Sequence, residues 1–145
     1  MVRRLALVVV GGLALAGCGG SSGTTTTDTT AAARAQIKSA YVKFFSGKTP
    51  VSDRVAVLQN GSKFKGLVTS FANNPLAKNV NVTVSSVTLQ GANHAKVVYT
   101  VKLGGTGLPK QAGTAVRENG AWKVGYASLC KLVALQGSTP SACKS

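Results

Sequence analysis

The rhythm of apolar and polar positions changes three times along the chain. Leu5 to Leu15 is almost continuously apolar, broken only by Gly11 and Gly12 and preceded by Arg3 and Arg4. Gly19 to Thr30, GGSSGTTTTDTT, then holds no large apolar residue. From Ala31 a helical period sets in: Ile37, Tyr41, Phe44 and Phe45 fall on one face with Ala33 and Ala40, and Arg34, Lys38 and Lys43 fall on the other. Thr29 or Thr30 is placed to cap this helix and Gly47 to end it. Ser52 or Asp53 is placed to cap a short second helix over Arg54 to Gln59, stopped by Asn60-Gly61. Ser62 precedes a third, in which Phe64, Leu67, Val68 and Phe71 repeat at helical spacing until Asn73-Asn74-Pro75. Gly66 weakens that helix by up to about 1 kcal/mol.

Beyond Val80 the period becomes two. Val80, Val82 and Val84 alternate with polar residues, and the phase slips at Ser85-Ser86 before Val87 and Leu89, which predicts a bulge. After the turn Gly91-Ala92-Asn93, a second strand carries Ala95, Val97, Tyr99, Val101 and Leu103 on one face and Lys96, Thr100 and Lys102 on the other. Gly104 to Pro109 reads as a loop. Ala112, Thr114, Val116 and Glu118 mark a weaker third strand. Asn119-Gly120 is a two-residue hairpin signal, and Trp122, Val124 and Tyr126 belong to the fourth strand. Leu129, Leu132, Val133 and Leu135 form a closing apolar segment. Helices followed by a meander predict an α+β domain in which N-terminal helices pack on a curved antiparallel four-stranded sheet.

The leader changes the picture of the whole chain. Its apolar run is too short to span a bilayer, which takes roughly 20 residues, and suits a secretory signal. It ends in Leu15-Ala16-Gly17-Cys18, which resembles the lipobox of bacterial lipoproteins. The resemblance implies cleavage before Cys18 and a diacylglycerol thioether on its sulfur. The expected organisation is a signal peptide at 1–17, a lipidated Cys18 with a Gly/Ser/Thr-rich tether over 18–30, and one domain over 31–145. Such a protein is anchored to the outer side of the cell membrane and does not span it, each buried methylene contributing about 0.8 kcal/mol.

Seventeen Lys and Arg stand against three acids, a net charge of +14; removal of Arg3 and Arg4 with the signal leaves +12. The cations are spread without a basic block or an aromatic–basic alternation, which argues against nucleic acid. Anionic lipids or cell-wall polymers are the partners such a charge suits in an envelope; the alternative is a merely solvated surface. With Cys18 used by lipid, Cys130 and Cys143 remain. In an oxidising compartment they favour a disulfide closing a ring of about 14 residues, contributing on the order of 3 kcal/mol; the alternative is two reduced thiols. His94 is the single imidazole and no CxxC pair occurs, so neither metal nor other cofactor is expected.

Tyr41-Val42-Lys43-Phe44-Phe45-Ser46-Gly47, the break Thr49-Pro50, Val87-Thr88-Leu89, Val97-Val98-Tyr99 and Gly120-Ala121-Trp122-Lys123-Val124 together resemble the C-terminal domain of the mycobacterial low-molecular-weight secreted antigens and their actinobacterial lipoprotein relatives. The element order is similar to the cone-shaped domains related to nuclear transport factor two. The resemblance spans roughly Ala31 to Gln136 and implies a secreted or surface protein with no catalytic residues to carry over.

Paired titrating groups are scarce. Asp28 lies in the tether, Glu118 beside a hairpin and Asp53 at a helix start, so His94 with Asp53 is the lone acid–base pairing, the one a dehydratase- or isomerase-like enzyme would need. The reading favoured by the residues is a non-enzymatic envelope lipoprotein that binds a small apolar ligand or an anionic envelope component. An accessory module for an envelope protein is the alternative. If a cavity exists, Tyr41, Phe45, Phe64, Phe71, Tyr99, Trp122 and Tyr126 are the expected lining; otherwise these aromatics fill the core.

Overall fold

The computed structural model describes residues 24–144. Cys18 and the signal segment lie outside the described residues. Helix α1 (Thr24–Phe45) is followed by α2 (Val51–Ala56), a 3-10 turn (Gly61–Phe64), α3 (Lys65–Ala72) and a second 3-10 turn (Pro75–Asn79). The strands β1 (Val80–Leu89), β2 (His94–Leu103), β3 (Thr106–Gly107), β4 (Gln111–Glu118) and β5 (Ala121–Val124) come next, then α4 (Tyr126–Leu135) and a 3-10 turn at Ser141–Cys143. The sheet is antiparallel with order β1-β2-β4-β5, and two-residue β3 adds to β2 beyond the end of β4. This is the expected α+β arrangement, four helices on a curled antiparallel sheet.

Period decided the elements and burial decided their packing. Ile37, Tyr41, Phe44 and Phe45 of α1 are buried against Val87, Val97, Tyr99, Val101, Trp122 and Val124 of the sheet. Each such side chain contributes roughly 1.5–3 kcal/mol on leaving water. The register shift between Val84 and Ser86 is the bulge that the slipped alternation predicts. Asn119 and Gly120 take φ of 52° and 80°, the left-handed pair a two-residue hairpin requires, and Glu118 pairs with Ala121 across them. The edge of β5 is covered: Val124 N donates to Val57 O (2.8 Å) and Gln59 N to Val124 O (2.9 Å). That pairing removes an open template for association.

Several local expectations need correction. Helix α1 begins at Thr24, seven residues before Ala31, so neither Thr29 nor Thr30 caps it and residues 24–30 are not tether. Threonine costs a helix only a few tenths of a kcal/mol, and a helix already pinned by its buried face extends backward at that cost. Helix α2 starts at Val51 after Pro50, with no side-chain cap, and Asp53 lies within its first turn. Ser62 lies inside a 3-10 turn and α3 starts only at Lys65. Asn74, read as part of a helix stop, caps the next turn by accepting from Leu76 N (3.0 Å). Tyr126 is the first residue of α4 and not part of β5, because Gly125 N bonds Thr114 O (2.8 Å) and ends the ladder there. In β4 the buried positions are Gly113 and Ala115, so Ala112 and Thr114 face outward.

Candidate functional site

Two regions of the interior were candidates for a site, and they differ in kind. The first lies under β4. Tyr41 of α1 and Tyr99 of β2 sit with ring centroids 5.1 Å apart, and Phe45 packs 5.9 Å from Tyr41 and 5.3 Å from Tyr99. All three are essentially without exposed surface. Tyr41 Oη donates to Thr114 O (2.7 Å) and lies 3.1 Å from Ser128 Oγ of α4, which accepts from Thr114 N (2.9 Å). One hydroxyl cluster thus ties α1, β4 and α4. Burial raises the Tyr41 phenol well above its ordinary value, with the Ser128 hydrogen bond opposing and Tyr99 adding to the rise. Burial pushes Tyr99 up to about 12. Both therefore stay neutral where an acid–base residue would have to titrate.

Gly113 is what admits this cluster. A Cβ there would lie 2.5 Å from Tyr41 Oη, 2.7 Å from Ser128 Oγ and 2.8 Å from Tyr99 Cε1. No side chain fits without displacing a hydrogen-bonded group.

The second region is a cavity of about 430 Å³ between α3, α4 and the far end of the sheet. Phe71 comes from α3, Val80 from β1, Val101 and Leu103 from β2, and Leu108 and Pro109 from the loop after β3. Gln111 of β4 and Leu132, Leu135 and Gln136 at the end of α4 complete it. No charged group lines it. The loop wall is fixed by Leu108 N donating to Val101 O (2.8 Å) and Gln111 Nε2 donating to Pro109 O (2.9 Å). Helix α4 is held by the disulfide between Cys130 and Cys143, whose Cα atoms are 5.6 Å apart. Leu135 keeps 63% of its surface exposed at this end of α4. A shallower cleft between α3 and α4 shares Phe71 and Gln136 with the cavity.

The expected lining is therefore largely displaced. Of the seven aromatics, Phe71 alone lines this cavity. Tyr41, Phe45 and Tyr99 fill the core, and Phe64 is buried with its ring stacked 5.5 Å from that of Tyr126. Trp122 is buried against α1, beside shallow clefts that include Ala33 and Ala40. The wall is aliphatic instead, and the signals for it in the sequence were the closing run Leu132–Leu135 and the Leu108-Pro109 loop.

The remaining chemistry is dispersed. His94 is exposed at the start of β2 and Asp53 exposed on α2, so the acid–base pairing is not assembled in the cavity. Glu118 pairs with Lys123 at 3.1 Å. Among the described residues no group of three or more His, Cys, Asp or Glu converges, and no helix is long and apolar enough to cross a membrane. Sequence reasoning missed Arg54, which is 2% exposed. Its Nε donates to Thr49 O (3.0 Å) and its Nη2 to Ser46 O (2.7 Å), closing the turn between α1 and α2 without a carboxylate, and burial lowers its pKa.

Among solved structures, a Campylobacter jejuni protein described as an NTF2-like transpeptidase aligns at 12% identity with a TM-score of 0.42, over 61% of this chain and 92% of its own. No curated protein matches the chain. A family model described as "Low molecular weight antigen MTB12, C-terminal domain" matches residues 29–140, from within α1 to beyond α4. With its helices, its meander and its disulfide-tied last helix inside or beside that span, the chain belongs to the family of low molecular weight antigen MTB12 C-terminal domains.

Proposed function

We propose that this protein is a non-enzymatic envelope lipoprotein, held at the outer face of a membrane through Cys18, whose domain binds a small apolar ligand between α3, α4 and the sheet. The observation that carries the binding reading is the cavity. At about 430 Å³ it falls within the roughly 300–1,000 Å³ of small-molecule sites, and its walls are predominantly aliphatic. Its polar wall groups are Gln111, whose amide is already bonded to Pro109 O, and Gln136, so the hollow holds water poorly and favours apolar matter. The anchoring reading rests on Arg3-Arg4, the apolar run and Leu15-Ala16-Gly17-Cys18. Disulfide-tied Cys130 and Cys143 suit an oxidising compartment.

Two measurements test the two halves separately. Inhibiting lipoprotein signal peptidase, or making Cys18→Ala, should block maturation and move the protein out of the membrane fraction. Unchanged processing and fractionation would remove the anchor. Native mass spectrometry of the protein taken from its own envelope should show a bound apolar molecule; protein that is uniformly empty and takes up no apolar probe would remove the ligand.

A further inference from the structure

No charged residue lines the cavity, but at two places an exposed lysine is next in the chain to a lining residue. Lys110 stands between the lining residues Pro109 and Gln111, and it is exposed. Lys131 directly precedes lining Leu132, lies one helical turn before Leu135, and is exposed too. Glu118 and Asp53 stand elsewhere. Glu118 is at the opposite end of β4 from Gln111, roughly 23 Å away at strand rise, and is engaged by Lys123. Asp53 is on α2 and does not line the cavity. Exposed Lys110 and Lys131 are thus each next in the chain to lining residues, and no carboxylate lines the hollow.

We infer that the occupant is a single-chain anionic amphiphile of the fatty-acid class, its chain among Phe71, Val101, Leu103 and Leu132 and its carboxylate between Lys110 and Lys131. This rests on the apolar-ligand reading above and adds the head group and the chain number. The volume selects one chain: about 430 Å³ is near the low end of ligand sites, and a two-chain lipid needs more. Charge complementarity selects the anion. The cations are exposed, so they act as a rim that steers and orients, while affinity comes from chain burial. Exposed Leu135 covers the chain where it leaves the cavity.

The test uses the full chain, released from nonionic detergent for native mass spectrometry and titrated with saturated carboxylates of increasing length, dodecanol, dodecyltrimethylammonium and a two-chain phosphatidylglycerol. Affinity for the carboxylates should rise about fourfold per methylene and then level off as the cavity fills. Dodecanoate should bind about tenfold more tightly than dodecanol at low salt, with the gap closing as salt rises. Lys110→Glu with Lys131→Glu should abolish that gap and leave dodecanol binding unchanged. All three altered positions, including Leu135→Asp as a block to every chain, are exposed, so folding is not at stake. If no amphiphile binds, the apolar-ligand reading itself fails. If dodecanol or the cationic amphiphile binds as well as dodecanoate, or the lysine changes leave the gap intact, the anionic assignment fails while the cavity reading stands. Preference for phosphatidylglycerol would overturn the single-chain assignment.

Discussion

The region under β4 and the region between α3 and α4 are built from the same sheet, yet one is solid and the other hollow. Under β4, three aromatic rings and a hydroxyl cluster press on a glycine. Rings stack at short centroid distances, and the Tyr41 hydroxyl finds Thr114 and Ser128, so the space is filled and that polar tip is bonded. At the other end, branched aliphatic side chains from four directions meet without interlocking and leave about 430 Å³. The first region uses its aromatics for stability. The second gives up packing that a protein interior normally has and keeps an apolar surface available for something else.

Breaking the solid region should cost most. Tyr41→Ala is expected to lose about 3–5 kcal/mol, because it leaves a ring-sized void in the core and removes the hydrogen bond to Thr114 O. Urea unfolding would measure it, and a loss below about 1 kcal/mol would mean the rings are not the keystone claimed. Replacing Cys130 and Cys143 by Ala should cost about 3 kcal/mol and, unlike Tyr41→Ala, should change the cavity, since α4 supplies Leu132, Leu135 and Gln136 to its wall. Hydrogen exchange confined to α4 and the tail is the expected signature. Gly113→Ala should cost about 1–3 kcal/mol by overpacking against Tyr41 and Ser128; a neutral result would contradict the close contact.

Raising the pH sharpens the same contrast without mutation. Tyr99 is raised by burial from 10.0 to about 12, so its contribution is fully present below pH 10 and is lost as pH climbs through 12. In that window the unfolded chain sheds the proton and the folded one keeps it, so stability should fall by about 1.4 kcal/mol per pH unit for this residue. Tyr41, raised further in the same direction, extends the fall to higher pH. In a Tyr126→Phe background, phenolate absorbance that rises before unfolding would break the argument. The smallest effect is expected in the hollow: Leu108→Phe should change stability by less than about 1 kcal/mol, because there is room for the ring, while it reduces uptake of an apolar probe. A cost comparable to that of Gly113→Ala would show that the space is not truly available.

Much of this was legible in the residues, and the misses share a cause. Helical spacing placed Ile37, Tyr41, Phe44 and Phe45 on one buried face, alternation placed β1 and β2, the slip at Ser85-Ser86 placed the bulge, and Asn119-Gly120 placed the hairpin. Each signal is local, read over a few residues from backbone geometry and the exclusion of apolar groups from water. Five of the seven aromatics are buried and Phe71 and Tyr126 half-buried, but period alone does not separate a residue that fills space from one that borders it. Arg54 looked like any exposed helix cation and became buried only because α2 folds back on the end of α1.

The amino-acid sequence by itself determined the element order, the α+β class and the cationic, acid-poor character of the chain, and it left Cys130 and Cys143 open between a disulfide, which the structure has, and two thiols. Only the tertiary structure decided which buried face is solid and which is hollow, that Gly113 lies under Tyr41, and that Leu103, Leu108 and Leu132 share one aliphatic space. The reason is physical: periodicity and turn chemistry act over one element, whereas a void is a property of the several surfaces that fail to meet.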